Sequence, residues 1–242
     1  MEVNIVPESF STQLRSAIRK HVTQVHETDE ENIKKLTQAG VASFEELIST
    51  VMNKHINREI RQVGCWALGK LAKKRAVYAL LATFSESEPD LYWESAKSLG
   101  LLGSTRAVKP LIHILQDDLD ANKRAASAYA LGLIADKRST EALLRVVSNP
   151  TETPQVRGHA VEALANMEPN NKIIDTLIAC VKDSHGEVQR WSVFALGQLG
   201  DMRAIPVLEE LVSTSVTPRQ GIEDIVKEVK DAIAAIRAPG AS

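Results

Sequence analysis

Residues 188–211 read VQRWSVFALGQLGDMRAIPVLEEL. Apolar positions recur at three- and four-residue spacing on either side of Gly200-Asp201, the pattern of two short helices joined by a tight turn. The first helix centres on a small residue, a leucine and a second small residue, Ala195-Leu196-Gly197. The same triplet stands at Ala67-Leu68-Gly69, Ser98-Leu99-Gly100, Ala130-Leu131-Gly132 and Ala163-Leu164-Ala165. Its leucines fall at 68, 99, 131, 164 and 196, a period of 31 to 33 residues. A fixed period in that range marks stacked hairpins, which bury their apolar faces only against one another. The expected fold is all-α: a right-handed α-solenoid of about five helical-hairpin repeats with helical caps.

Working outward, each repeat divides into a helix A that holds the triplet and a helix B that follows it. The repeats are expected over 57–213. Helix B of the first runs about 74–85, and the later repeats span 90–117, 121–148, 154–182 and 187–213. Breakers separate them: Ser87-Glu88-Pro89-Asp90, Ser148-Asn149-Pro150 with Pro154, and Asp183-Ser184-His185-Gly186. Residues 1–56 are expected to form an N-terminal cap. It comprises an extended lead-in, a helix from Glu8 to about His26, a second helix capped by Asp29 and ended by Gly40, and a third opened by the capping box of Ser43 and Glu46. Residues 214–242 hold a loop with Pro218, a single A-like helix from Ile222 to Arg237 and a short frayed tail, the C-terminal cap of one continuous solenoid.

Glycine inside a helix costs roughly 1 kcal/mol against alanine, so Gly69, Gly100, Gly132 and Gly197 need a reason. No Cβ fits where helix A meets its own helix B or the next repeat. Gly103 and Gly200 are placed to end helix A in the left-handed conformation. Asp136-Lys137-Arg138 and Asp201-Met202-Arg203 then turn the chain into helix B. This is packing and turn chemistry, not phosphate binding.

The chain is 44% hydrophobic but only 4% aromatic, with a formal net charge of -2 and a pI near 6.3. No global field favours nucleic acid or an anionic membrane. The opening MEVNIVPESFS has neither the basic nor the apolar region of a secretory signal, and no apolar run reaches the roughly 20 residues of a membrane span. Cys65 and Cys180 stand more than three repeats apart, beyond the reach of a disulfide. A cytoplasmic, reducing setting follows.

Residues 188–208, VQRWSVFALGQLGDMRAIPVL, resemble the short HEAT-like repeats of the phycobilisome-lyase (PBS lyase) family, V-R-x-x-A-A-x-A-L-G-x-L-G-D-x-R-A-x-x-x-L. Ile60-Arg61, Lys123-Arg124 and Val156-Arg157 match the opening of that pattern. The second repeat departs from it with Leu91-Tyr92, and the fourth with Met167-Glu168-Pro169-Asn170. The resemblance implies that helices A line the convex side and helices B the concave side. Aligned on that frame, the B helices leave two variable slots four residues apart, which share a helix face. The first holds Tyr78, Lys109, Glu141, Asp175 and Pro206, and the second Ala82, His113, Arg145, Ala179 and Glu210. Partner binding is expected at Tyr78, Lys109, His113, Glu141, Arg145, Asp175 and Glu210.

Other chemistries find less support. Arg61, Arg124 and Arg157, with Arg106, Arg138 and Arg203, alternate with Asp120, Asp136, Asp183 and Asp201 at repeat-equivalent positions, which reads as inter-repeat ion pairing rather than a basic patch. The six histidines are scattered, and His26-Glu27 is the single His-Glu dipeptide; HEAT-like deoxyhypusine hydroxylases need several, so no metal site is expected. Trp66, Trp93 and Trp191 occupy three different slots of helix A, unlike the single aromatic cleft of a HEAT-like DNA glycosylase. No catalytic residue and no cofactor are assigned. The function expected is a non-enzymatic scaffold that holds another protein on the helix-B face. The alternative that the resemblance implies is a bilin lyase subunit, or a related chaperone handling a tetrapyrrole or phycobiliprotein. There the reacting thiol belongs to the client, the partner is a phycobiliprotein or a related lyase subunit, and Tyr78, Lys109, His113 and Arg145 would meet a dicarboxylate pigment.

Overall fold

The computed structural model describes residues 9–19, 26–214 and 222–238. Expectations for the lead-in, the end of the first helix, the Pro218 loop and the last four residues lie outside them. The described residues are all helix and connection, and they fall into two compact units, Met1–Ala107 and Val108–Ser242. The first unit holds α1 (Phe10–Arg19), α2 (Glu27–Gln38), α3 (Phe44–Met52), α4 (Arg58–Leu71), α5 (Val77–Phe84) and α6 (Pro89–Leu102). The second holds α7 (Val108–Asp117), α8 (Ala121–Ile134), α9 (Thr140–Val147), α10 (Pro154–Ala165), α11 (Asn171–Cys180), α12 (Gly186–Leu199), α13 (Ile205–Thr214) and α14 (Ile222–Arg237). Among the described residues no helix is long and apolar enough to cross a membrane.

Two packing rules recur. Helices A stack directly on one another: α4 on α6 in the first unit, and α8 on α10, α10 on α12 and α12 on α14 in the second. Each helix B lies against the helix A of the next hairpin: α5 on α6, α7 on α8, α9 on α10, α11 on α12 and α13 on α14. Within the N-terminal region, α3 packs on α4 in the same manner, as a helix B would. The A stack is close enough to exclude a side chain. A Cβ on Gly132 would stand 2.7 Å from Ala163 Cα, and one on Gly197 would stand 3.0 Å from Ala232 Cα. The expected reason therefore holds for Gly69, Gly132 and Gly197, and the obstructing neighbour is the next helix A.

Turn chemistry follows the repeat. Gly103 and Gly200 end α6 and α12 with positive φ, and Ala72 and Ala135 take the same left-handed position at φ 51° and 52°. After α8, Asp136 Oδ1 accepts from Arg138 N at 3.0 Å and from its Nε at 2.8 Å; Asp201 does the same for Arg203. These two pairs lie within a turn, and Arg203 also reaches Asp175 of the preceding repeat at 3.1 Å, the inter-repeat pairing expected of it. The hydrogen bonds from the Arg138 side chain and backbone lower the Asp136 carboxyl to about 2.

The N-terminal region brings one correction. Asp29 is not the cap of α2. The helix begins at Glu27, and the Asp29 carboxylate sits one turn in, accepting from His26 N at 3.3 Å. The Ser43 cap of α3 is present, Glu46 N donating to its hydroxyl at 3.1 Å, while the Glu46 carboxylate reaches back to Ala42 N at 2.7 Å.

Candidate partner-binding surface

The arginine seven residues before each anchor leucine is buried structure, not surface. Arg61 donates through Nε to the carbonyl of Val51 at 2.9 Å, and its guanidinium meets Glu86 at 2.9 Å; only 5% of its side chain is exposed. Arg157 repeats the arrangement on Val147 at 2.9 Å and Asp183 at 2.5 Å. Arg124 binds the Asp118 carbonyl at 2.7 Å and grips Glu152 with two bonds of 2.8 Å. Each arginine thus ties the end of one helix B to the end of the next. The α12 position is taken by Gln189, which donates to Val181 O at 2.7 Å, and the α6 position by Tyr92, fully buried against Phe84. Inter-repeat pairing is the right account of these arginines, but Arg61 and Arg157 are not exposed, and Arg106 has no ion-pair partner among the described residues.

The two variable slots of the B helices are exposed at all ten positions. In the second unit α7, α9 and α11 adjoin in order, so Lys109, His113, Glu141, Arg145 and Asp175 share one face, and Glu210 joins it through a bridge from the α11 end. Tyr78, 69% exposed, belongs to the first unit. The acids are already occupied. Lys172 Nζ lies 2.6 Å from Glu141, Arg203 3.1 Å from Asp175, and Lys182 2.7 Å from Glu210. His113 is held by Asp117 on its own helix at 2.6 Å. Lys109 and Arg145 make no ion pair among the described residues. Each acid of the two slots thus has a basic partner from a neighbouring repeat, Asp175 sharing Arg203 with Asp201, while Lys109 and Arg145 have no ion-pair partner among the described residues. Lys172 and Lys182 were missed because they stand outside the two slots. Their distance of about one repeat from Glu141 and Glu210 was the available signal.

Both cysteines are buried and form no disulfide. Burial pushes the Cys65 thiol up to about 11, and Cys180 moves in the same direction for the same reason, so neither is a nucleophile near neutral pH. Among the described residues, no group of three or more His, Cys, Asp or Glu side chains is arranged to hold a metal. Burial also raises the Glu94 carboxyl, whose Oε1 has no hydrogen-bond partner among the described residues.

Hairpins stacked A on A, with each B on the following A, define an α-solenoid. The chain matches the family described as HEAT repeats over residues 44–132, 108–171 and 140–223, and it belongs to that family. Its repeats are of the PBS-lyase-like kind. It is 32% identical over 119 residues to the bilin biosynthesis protein PecE of Nostoc sp. (strain PCC 7120), a match covering 46% of this chain and 46% of that protein. It is also 22% identical to an uncharacterized phycocyanin operon protein Z of Pseudanabaena tenuis, over 66% of this chain and 81% of the relative. The chain thus spans less than half the length of the first of these relatives. Among solved structures, the complex of CpcE and CpcF of phycocyanin lyase from Nostoc sp. PCC7120 superposes with a TM-score of 0.54 at 20% identity, covering 65% of this chain and 99% of that one. A designed armadillo repeat protein in complex with a (KR)4 peptide gives 0.51 at 18% identity, covering 79% and 98%. At those identities the two structures speak for the fold alone.

Proposed function

We propose that the protein is a binding subunit of the phycobilin-handling kind, holding a protein partner on the outer face of its B helices. The observation that carries this reading is the charge state of α7 and α9. With Glu141, Asp175 and Glu210 each bonded to a neighbouring repeat, Lys109 and Arg145 are the charges left to engage an incoming acidic surface. A face preset by the repeat stack loses little conformational freedom on binding. The relatives' names, a bilin biosynthesis protein and a phycocyanin operon protein, favour a phycobiliprotein or a second HEAT subunit as the partner. The reading sets the protein in the cytoplasm, where two free thiols are at home.

The same relatives favour a second reading, a lyase subunit. Here Lys109 and Arg145 would meet the carboxylates of a bilin while the client's own thiol forms the bond. Neither Cys65 nor Cys180 is available for that step, consistent with the thiol coming from the client. One experiment separates the two. The purified chain is mixed with a pigment-free phycocyanin subunit, with and without phycocyanobilin and a second lyase subunit. Co-elution without pigment attachment supports the scaffold; covalent fluorescence on the phycocyanin band supports the lyase. The triple charge reversal K109E/E141K/R145E, with an unchanged circular dichroism spectrum, abolishes either result. Co-elution that survives that variant removes the B-helix face from the account.

A further inference from the structure

A different surface, on the A helices of the second unit, has the form of a second docking site. The backbones of α12 and α14 touch where Gly197 meets Ala232. The same two helices, with Gly197 and Ala232 among the lining residues, bound an open groove of about 1150 Å³. Its floor is aromatic. Trp191 and Phe194, three residues apart on α12, stand edge to face with ring centroids 6.0 Å apart, and Phe194 is 59% exposed. The equivalent positions of α10 hold His159 and Glu162, which bond to each other at 3.2 Å. Those of α8 hold Ala126 and Tyr129. The repeat frame therefore does not require two aromatic rings at this place, and an exposed aromatic pair in a groove is where an apolar anchor gains most on burial.

The rim is charged, and its balance is negative. Arg190 is engaged by Glu228 at 2.7 Å. Glu187 on one wall and Asp231 on the other make no ion pair among the described residues. An anionic pigment would bring its carboxylates against two uncompensated acids, so the groove does not suit the ligand considered for the B-helix face. We propose that this groove binds a peptide segment of a partner protein that inserts an apolar side chain against Trp191 and Phe194 and sets Lys or Arg against Glu187 and Asp231. The two rings supply the desolvated centre and the two acids the flanking specificity.

The test is a selection of phage-displayed random dodecapeptides on the immobilised full chain. Enriched sequences are then synthesised, and their affinity is read by the change in tryptophan emission and by fluorescence polarisation. The expected result is enrichment of an apolar residue flanked by Lys or Arg. Phe194→Glu and Asp231→Lys, both surface changes, each weaken binding roughly tenfold or more, and binding weakens as salt rises. The triple reversal on the B helices leaves it unchanged, so this site and the one proposed above fail independently. No enrichment, enriched peptides without basic residues, or peptides that bind both variants as well as the parent would each overturn the proposal. A variant whose circular dichroism spectrum differs from the parent's is replaced by the milder Phe194→Ser and Asp231→Asn, judged by the same criteria.

Discussion

The chain uses the pairing of a basic side chain with a carboxylate in two opposite settings. Arg61–Glu86 and Arg157–Asp183 are sealed between hairpins, with 5–13% of each side chain exposed. Lys172–Glu141 and Lys182–Glu210 bridge neighbouring repeats from the outside, with more than half of each side chain exposed. The separations along the chain are similar, 25 and 26 residues for the buried pairs against 31 and 28 for the exposed ones. Sequence spacing alone cannot tell them apart. Burial decides what each does: a desolvated charge commits its neighbours to one arrangement, whereas a solvated pair is worth about 0–1 kcal/mol and can be exchanged for a partner's charge.

The largest expected effect is Arg157→Ala. It strands the Asp183 carboxylate and the Val147 carbonyl, and is expected to lower stability by about 3–5 kcal/mol in urea denaturation. Replacing both charges by apolar residues, Arg157→Met with Asp183→Leu, should restore most of that. If the single change costs no more than Lys172→Ala, the distinction between the two settings is lost. Gly132→Ala comes next. Its Cβ would meet Ala163 backbone at 2.7 Å, and forcing α8 and α10 apart costs about 1–3 kcal/mol, more than the gain in helix propensity of roughly 1 kcal/mol. The reverse exchange at Ala135, with φ at 52°, should stabilise by about 0.5–1 kcal/mol, because glycine removes the left-handed strain. Lys172→Ala should change stability by less than about 1 kcal/mol.

The smallest effect is one of pH. The Asp136 carboxyl is lowered from 3.8 to about 2 in the folded chain. Its folded value lies below its unfolded value, so its contribution is complete above pH 3.8 and is lost as pH falls towards 2. Thermal melts of Asp136→Asn should show a shallower decline than the parent across that window, and parallel curves would remove the turn pair from the account. Glu94 runs the other way: burial raises its carboxyl, so its ionisation opposes folding as pH rises.

The alignment of anchors was enough to read the helices, the left-handed ends at Gly103 and Gly200, and the need for a bare backbone at Gly132. Each of these depends on the repeat, and the repeat is visible as a period. The counter-ions of the B-helix face and the aromatic groove were not legible in the same way. Lys172 and Lys182 lie outside the aligned slots, and Trp191 was set aside because its slot differs from those of Trp66 and Trp93. It gains meaning from Phe194, one turn away, and from α14 opposite, a helix that lacks the triplet.

By itself, the sequence determined that this protein is a stack of helical hairpins, because a leucine every 31 to 33 residues between small neighbours can be buried only by the next copy of itself. Tertiary structure alone decided which charges are free. Whether a lysine or a carboxylate is spent inside the molecule or offered outside depends on which atoms from the neighbouring repeat come within a few ångströms of it, and on how much water the packing leaves between them.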